Sequence, residues 1–73
     1  MLTVNGALDV RLMRTLLLLV TECSVSRTAE ILGHTQPTVS FALKRLRELI
    51  GDPILVRSGS ALVPTERGLE LRE

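Results

Sequence analysis

The chain has no tryptophan or tyrosine, a single phenylalanine, one cysteine and one histidine among its 73 residues. Without aromatic bulk the interior must be aliphatic, built chiefly from fifteen leucines, and leucine at that density favours helices over sheets. A lone Cys23 cannot close an internal disulfide, which a secreted domain this small would ordinarily need, so a reducing cytoplasm is the expected compartment. One histidine and one cysteine are too few for a metal site. Ser24, Ser26, Ser40, Ser58 and Ser60 have one histidine between them, so no nucleophile and base pair off and an enzyme is not expected. The apolar run Leu16 to Val20 is far shorter than the roughly 20 residues that cross a bilayer, and Arg11 and Arg14 precede it closely. Neither a membrane span nor a signal peptide is expected.

Net charge is nearly absent as well, at +1. That alone does not announce a polyanionic partner, but its distribution is uneven. Residues 1–23 are neutral, residues 24–60 carry five basic against three acidic side chains, and residues 61–73 carry two against three. The surplus lies in the middle.

What is present is helical periodicity with clear punctuation. From Asp9, a candidate N-cap, Leu12, Leu16, Leu19, Val20 and Cys23 recur at steps of three and four, which predicts a first helix with one buried face. Leu17 and Leu18 widen that face, either as ordinary core or for a dimer contact or second packed element. Ser24 and Ser26 are cap residues for a short second helix over Arg27 to Leu32, closed by Gly33. Thr35 caps a third, with Pro37 in its first turn, where a missing N–H is harmless. Val39, Leu43, Leu46 and Ile50 form its stripe before Gly51, Asp52 and Pro53 stop it. Ile54 to Arg57 and Ala61 to Val63, separated by Ser58, Gly59 and Ser60, predict a small hairpin. Pro64 and Thr65 then open a last helical segment, Glu66 to Glu73, which carries no stop signal.

The second and third helices have the marks of a helix-turn-helix. Ala29 permits a close crossing, Gly33 can take positive φ in the turn, and Val39 plugs the angle between the helices. At about 100° per residue, Pro37, Phe41, Lys44 and Glu48 point away from the stripe, flanked by Gln36, Ser40 and Arg45. The chain's only aromatic therefore lies opposite the core. In a DNA major groove Phe41 could pack on a thymine methyl, with Gln36 and Ser40 bonding base edges and Lys44 and Arg45 phosphates. Packing of Phe41 on another protein segment or on the wing is the alternative. Arg57, beside the small residues Ser58, Gly59 and Ser60, is either a solvated wing charge or a minor-groove contact. His34 touches a phosphate or faces water, and Cys23 on the apolar stripe is expected to be inert rather than redox-sensing.

The stretch Ser24-Val-Ser-Arg-Thr-Ala-Glu-Ile-Leu-Gly-His-Thr-Gln-Pro-Thr-Val-Ser40 is the densest part of a resemblance running from Leu8 to Glu70. It is similar to the DNA-binding domain of LysR-type transcriptional regulators. Ala42-Leu-Lys-Arg-Leu-Arg-Glu48, Gly51-Asp-Pro-Ile-Leu-Val-Arg57, Pro64-Thr65 and Gly68 look like the branch that includes nodulation and aromatic-catabolism activators. The resemblance implies that Gln36, Pro37 and Ser40 lie in the major groove and that Arg57 reaches toward the minor groove. Phe41 stands where many members carry arginine, which implies a different preferred sequence. The resemblance further implies, for a full-length member, a linker helix pairing two subunits and a further domain binding a small-molecule inducer; only the start of that linker is matched here, as in an excised domain, a truncated product or a partly retained piece.

The expected fold is therefore mainly α, a winged helix-turn-helix with a three-helix core, a small hairpin wing and the start of a linker helix. Residues 1–64 would form the domain and 65–73 the start of the linker. No cofactor is expected in this segment. The expected partner is double-stranded DNA carrying a pseudo-palindromic operator, bound by a homodimer or higher homo-oligomer of the full-length protein, with no membrane contact. The candidate contacts are Thr35, Gln36, Pro37, Ser40, Phe41, Lys44, Arg45 and Arg57. Two rivals are a winged helix that binds protein through Phe41 and the surplus leucines, and the DNA-binding module of a transposase or recombinase. Steep salt dependence would separate DNA binding from an apolar protein contact.

Overall fold

The first helix, α1 (Val10–Glu22), forms because its apolar residues return every three or four positions, placing Leu16, Leu19 and Val20 on one fully buried face. The computed structural model describes residues 10–72, so the expected cap at Asp9 and the end of the last helix at Glu73 lie outside the described residues. Cys23 does not extend the apolar stripe of α1 as a helical residue. It stops the helix in the left-handed conformation, at φ 53°, with its N–H donating to the Leu19 carbonyl at 2.8 Å. Its thiol is half-buried and lies 3.6 Å from the Val20 carbonyl.

The second helix, α2 (Val25–Leu32), begins two residues earlier than expected. Ser24 is its cap, and the Ser24 hydroxyl accepts the Arg27 N–H at 3.0 Å, so Val25 and Ser26 fall within the first turn. Gly33, at φ 72°, closes it: its N–H reaches Glu30 and the His34 N–H reaches Ala29, satisfying two carbonyls of the last turn. Thr35 then caps α3 (Gln36–Ile50) by accepting the Thr38 N–H, and Gly51 ends it at φ 75°. Gly33, His34 and Thr35 are thus the whole turn between α2 and α3.

Ala29 is 3% exposed and Val39 1%, which lets the two helices cross closely above α1. Leu43 and Leu46 continue the buried stripe, and Ile54 and Leu55 close the core from below. Each fully buried Leu or Ile contributes about 1.5–3 kcal/mol relative to exposure. Two threonines, Thr15 and Thr28, are buried among these aliphatic residues, Thr15 donating its hydroxyl to the Arg11 carbonyl. Leu17 stays 40% exposed and Leu18 half-buried, so the extra width of α1 is only partly covered.

The wing is an antiparallel pair, β1 (Leu55–Ser58) and β2 (Ala61–Pro64), in the register Leu55 to Pro64 through Ser58 to Ala61. Gly59, at φ 64°, makes the two-residue turn with Ser60. Ile54 does not belong to the first strand, contrary to expectation. Its φ of 69° turns the chain before pairing begins, and its side chain is fully buried. The last helix, α4 (Glu66–Arg72), packs on α1 and on β2. Among the described residues no helix is long and apolar enough to cross a membrane.

Candidate nucleic-acid interface

The outer face of α3 is open to solvent along its length. Gln36, Pro37, Ser40, Phe41, Lys44, Arg45 and Glu48 are all exposed, and Phe41 is 68% exposed despite its size. Thr35 is also exposed, with its hydroxyl committed to the cap and lying 2.9 Å from that of Thr38. The face is apolar at Phe41, cationic at Lys44 and Arg45, and acidic at Glu48.

The wing stands beside it. On an antiparallel hairpin, opposed residues share a face and alternate residues return to it, so Leu55, Arg57, Leu62 and Pro64 lie together. Leu55 is buried and Leu62 half-buried, so this is the face turned toward the body of the domain. Arg57, one step beyond the core, leans over the groove between wing and helix. It lines a concavity there with Gln36 and Ser40 from α3 and Ser24 and Ser26 from the start of α2.

The candidate residues divide accordingly. Gln36, Ser40 and Arg57 converge on the wing side of α3. Phe41 and Arg45 border a second concavity on the α1 side, with Arg11, Leu12 and His34. Lys44 falls between the two groups by its helical position, and Pro37 sits in the first turn with no N–H to lose. His34 is exposed in the turn itself.

Several residues that carry no signal of their role in the sequence hold this arrangement. Arg47 donates from Nε to the Pro53 carbonyl at 2.8 Å and from a terminal nitrogen to the Leu55 carbonyl at 3.0 Å, pinning the root of the wing to α3. The Asp52 carboxylate accepts the Ile54 N–H and the Thr65 hydroxyl, both at 2.7 Å. Those two bonds, the Thr65 hydroxyl foremost, hold the Asp52 carboxyl below its ordinary pKa; Arg67 adds to the effect and desolvation opposes it. In the sequence Arg47 is legible only as one more exposed charge, and Asp52 only as part of a helix stop. Arg27, by contrast, is paired with Glu30 at 3.2 Å and lies 3.9 Å from Glu22.

Comparison with known proteins agrees with this geometry. The family model described as bacterial regulatory helix-turn-helix protein, lysR family, matches residues 10–69. The HTH-type transcriptional activator NahR of Pseudomonas putida is 46% identical over 66 residues, covering 90% of this chain and 22% of that protein. The HTH-type transcriptional regulator SyrM of Rhizobium etli is 37% identical over 68 residues, covering 93% of this chain and 20% of that protein. A crystal structure of a LysR-family transcriptional regulator from Eggerthella lenta superposes with a TM-score of 0.82 at 29% identity, covering 89% of this chain and 93% of that one. The BenM DBD in complex with catB site 1 DNA superposes with a TM-score of 0.80 at 26% identity, over 89% of this chain and 72% of that one. The chain spans about a fifth of the length of the curated relatives it matches. With the capped helix pair, the exposed third helix and the hairpin beside it, these matches make the chain a member of the lysR family of bacterial regulatory helix-turn-helix proteins.

Proposed function

We propose that this chain is the sequence-reading head of a bacterial transcription regulator, with no catalytic role, working in the cytoplasm as part of a longer protein. The helix α3 enters the major groove of a pseudo-palindromic operator. Gln36, Pro37, Ser40 and Phe41 lie in the groove against the base edges, Thr35 stands at its rim, and Lys44 and Arg45 bond phosphates. Arg57 enters the flanking minor groove from the wing. In the longer protein, α4 begins the helix that pairs two subunits, and a further domain takes a small-molecule inducer.

The observation that carries this reading is the convergence of Gln36, Ser40 and Arg57 on one groove beside an otherwise unobstructed helix face. The likeness to the BenM DBD, solved with DNA, supports it. A helix in the major groove and an arginine on an adjoining wing meet neighbouring grooves of one duplex, which is the use such a geometry serves.

The test selects preferred duplexes from a random pool and titrates them with flanks rich in A·T or in G·C. Arg57→Ala should weaken binding most on A·T-rich flanks, whose narrow minor groove concentrates negative potential. Lys44→Gln should weaken selected and random duplexes alike and lower the salt slope by about 0.9. Selection that enriches no sequence, with affinity insensitive to salt, would replace this reading with an apolar protein contact through Phe41.

A further inference from the structure

We propose that the groove between the start of α1 and the neighbouring flank of α3 is a second phosphate-binding site, which takes the backbone of the DNA strand opposite the one met by the wing. This rests on α3 lying in a major groove. That groove is about 12 Å wide and walled by two phosphate ladders, so an inserted helix has a strand on each side. The wing and Arg57 answer one of them. On the other side, beyond Arg45, the structure places Arg11 and Arg14 of α1, which the helix-turn-helix reading leaves unused.

Arg11 and Arg14, three residues apart in the first turns of α1, lie on one side of that helix and are exposed. Together with Thr15, Leu32 and His34 they line a small recess. Arg11, Thr15 and His34 are shared with the neighbouring concavity, which runs on to Phe41 and Arg45 of α3. The two recesses therefore form one continuous track, leading from Phe41 on the outer face, past Arg45, to the two arginines of α1. Among the described residues no carboxylate lines either.

These side chains are uncommitted, as are those of Lys44, Arg57 and Arg72 among the described residues. Arg27 and Arg67 are paired with glutamates, and Arg47 with two carbonyls. Among the described residues the side chains of Arg11, Arg14, Arg45 and His34 have neither ion pair nor hydrogen bond. Three guanidinium groups lie along one groove, and among the described residues no anion takes their forked donors. A guanidinium is matched to the paired oxygens of a phosphodiester, and a strand running past would supply such anions in series. Sequence is not read here. The site adds affinity and fixes the angle at which α3 lies in its groove, so that Phe41 addresses the same base step each time.

The test uses the 73-residue chain with a fluorescent mixed-sequence duplex, and anisotropy titrations across a range of KCl concentrations. The double variant Arg11→Gln/Arg14→Gln should keep its melting temperature, lose affinity about tenfold or more, and lower the magnitude of the salt slope by about 0.9 for each phosphate it no longer neutralises. The weakening should be the same on a selected duplex as on a mixed one. Arg11→Lys/Arg14→Lys should restore most of the slope, because the charge is kept, and it serves as the arm to read if the glutamine variant folds poorly. An unchanged slope in the glutamine variant, with a lowered slope in Lys44→Gln, overturns the second site and leaves the reading of α3 standing. An unchanged slope in both variants overturns the two together.

Discussion

Gly68 gives the sharpest test of how the wing is held, because two physical effects there have opposite signs. In an unhindered helix alanine is better than glycine by about 1 kcal/mol, so Gly68→Ala should stabilise α4. The helix is not unhindered. A methyl group at Gly68 would stand 2.5 Å from the Ile54 carbonyl oxygen and 3.2 Å from Cβ of Pro64. The nearest atom is backbone, and it already accepts the Thr65 N–H at 2.8 Å, so it cannot swing aside without giving up that bond. Relief requires α4 to lift from the root of the wing. Overpacking of this kind costs about 1–3 kcal/mol, and a weakened backbone hydrogen bond about 1 more. Setting the helix gain against that sum leaves a net destabilisation of about 1–3 kcal/mol. For a domain of this size each kcal/mol moves the melting temperature by about 4–8 °C, so thermal denaturation followed by circular dichroism should show a fall of about 5–20 °C. Arg67→Ala, which removes an exposed ion pair with Glu70 and the smallest of the influences on Asp52, should stay within about 0.5 kcal/mol of the parent. A melting temperature for Gly68→Ala equal to or above the parent's would mean that helix propensity wins and that the packing of α4 on the wing is slack.

Other outcomes follow from the same structure. Phe41→Ala should alter which duplexes are selected while leaving stability nearly intact; a drop of about 3–5 kcal/mol, the size expected for a buried aromatic, would contradict its 68% exposure. Gly33→Val should destabilise the domain and abolish binding, although nothing lies within 4 Å of the new Cβ, because a β-branched residue is strained at φ 72°. Native-like circular dichroism in that variant would show that the turn has another conformation available. The depressed pKa of Asp52 means that its bonds to Ile54 and Thr65 contribute stability in full above the ordinary carboxylate pKa, and cease to do so as the pH falls through that value toward the folded one. Asp52→Asn should flatten that acid limb in urea denaturation curves taken at successive pH values, and an unaltered limb would assign the acid sensitivity to other carboxylates.

Most of the helical frame can be read from the sequence because its determinants are local. The spacing of Leu16, Leu19 and Val20, the cap at Thr35, and the terminators Gly33 and Gly51 act within a few residues of the elements they define. The exposure of Phe41 follows from its angle to Val39, Leu43 and Leu46 on the same helix. The early start of α2 is not legible, because Ser24 and Ser26 are equally good caps by type and only the bond from the Arg27 N–H distinguishes them. The spacing of Cys23 fits the stripe of α1, yet the residue lies beyond the helix. Nothing about a cysteine announces that it will stop a helix in a conformation usually left to glycine.

The position of the wing is illegible for a different reason: it is set by contacts between segments. Ile54 adopts φ 69°, a conformation that costs a β-branched residue on the order of 1–3 kcal/mol. It is kept there because its side chain is fully buried, which contributes about 1.5–3 kcal/mol, and because its N–H and carbonyl are both engaged, by Asp52 and by the Thr65 N–H. Arg47 holds the residues on either side of it, Pro53 and Leu55. These contacts join the end of α3, the root of the wing and the start of α4 at one point. Arg57 lies two residues along the strand from Leu55, on the same face, so the angle fixed at this node decides how Arg57 stands over Gln36 and Ser40. The groove proposed to read DNA is therefore shaped by Arg47, Asp52, Ile54 and Gly68, which line neither of its walls. Substitutions there should alter discrimination among flanking sequences even where the contacting side chains are unchanged.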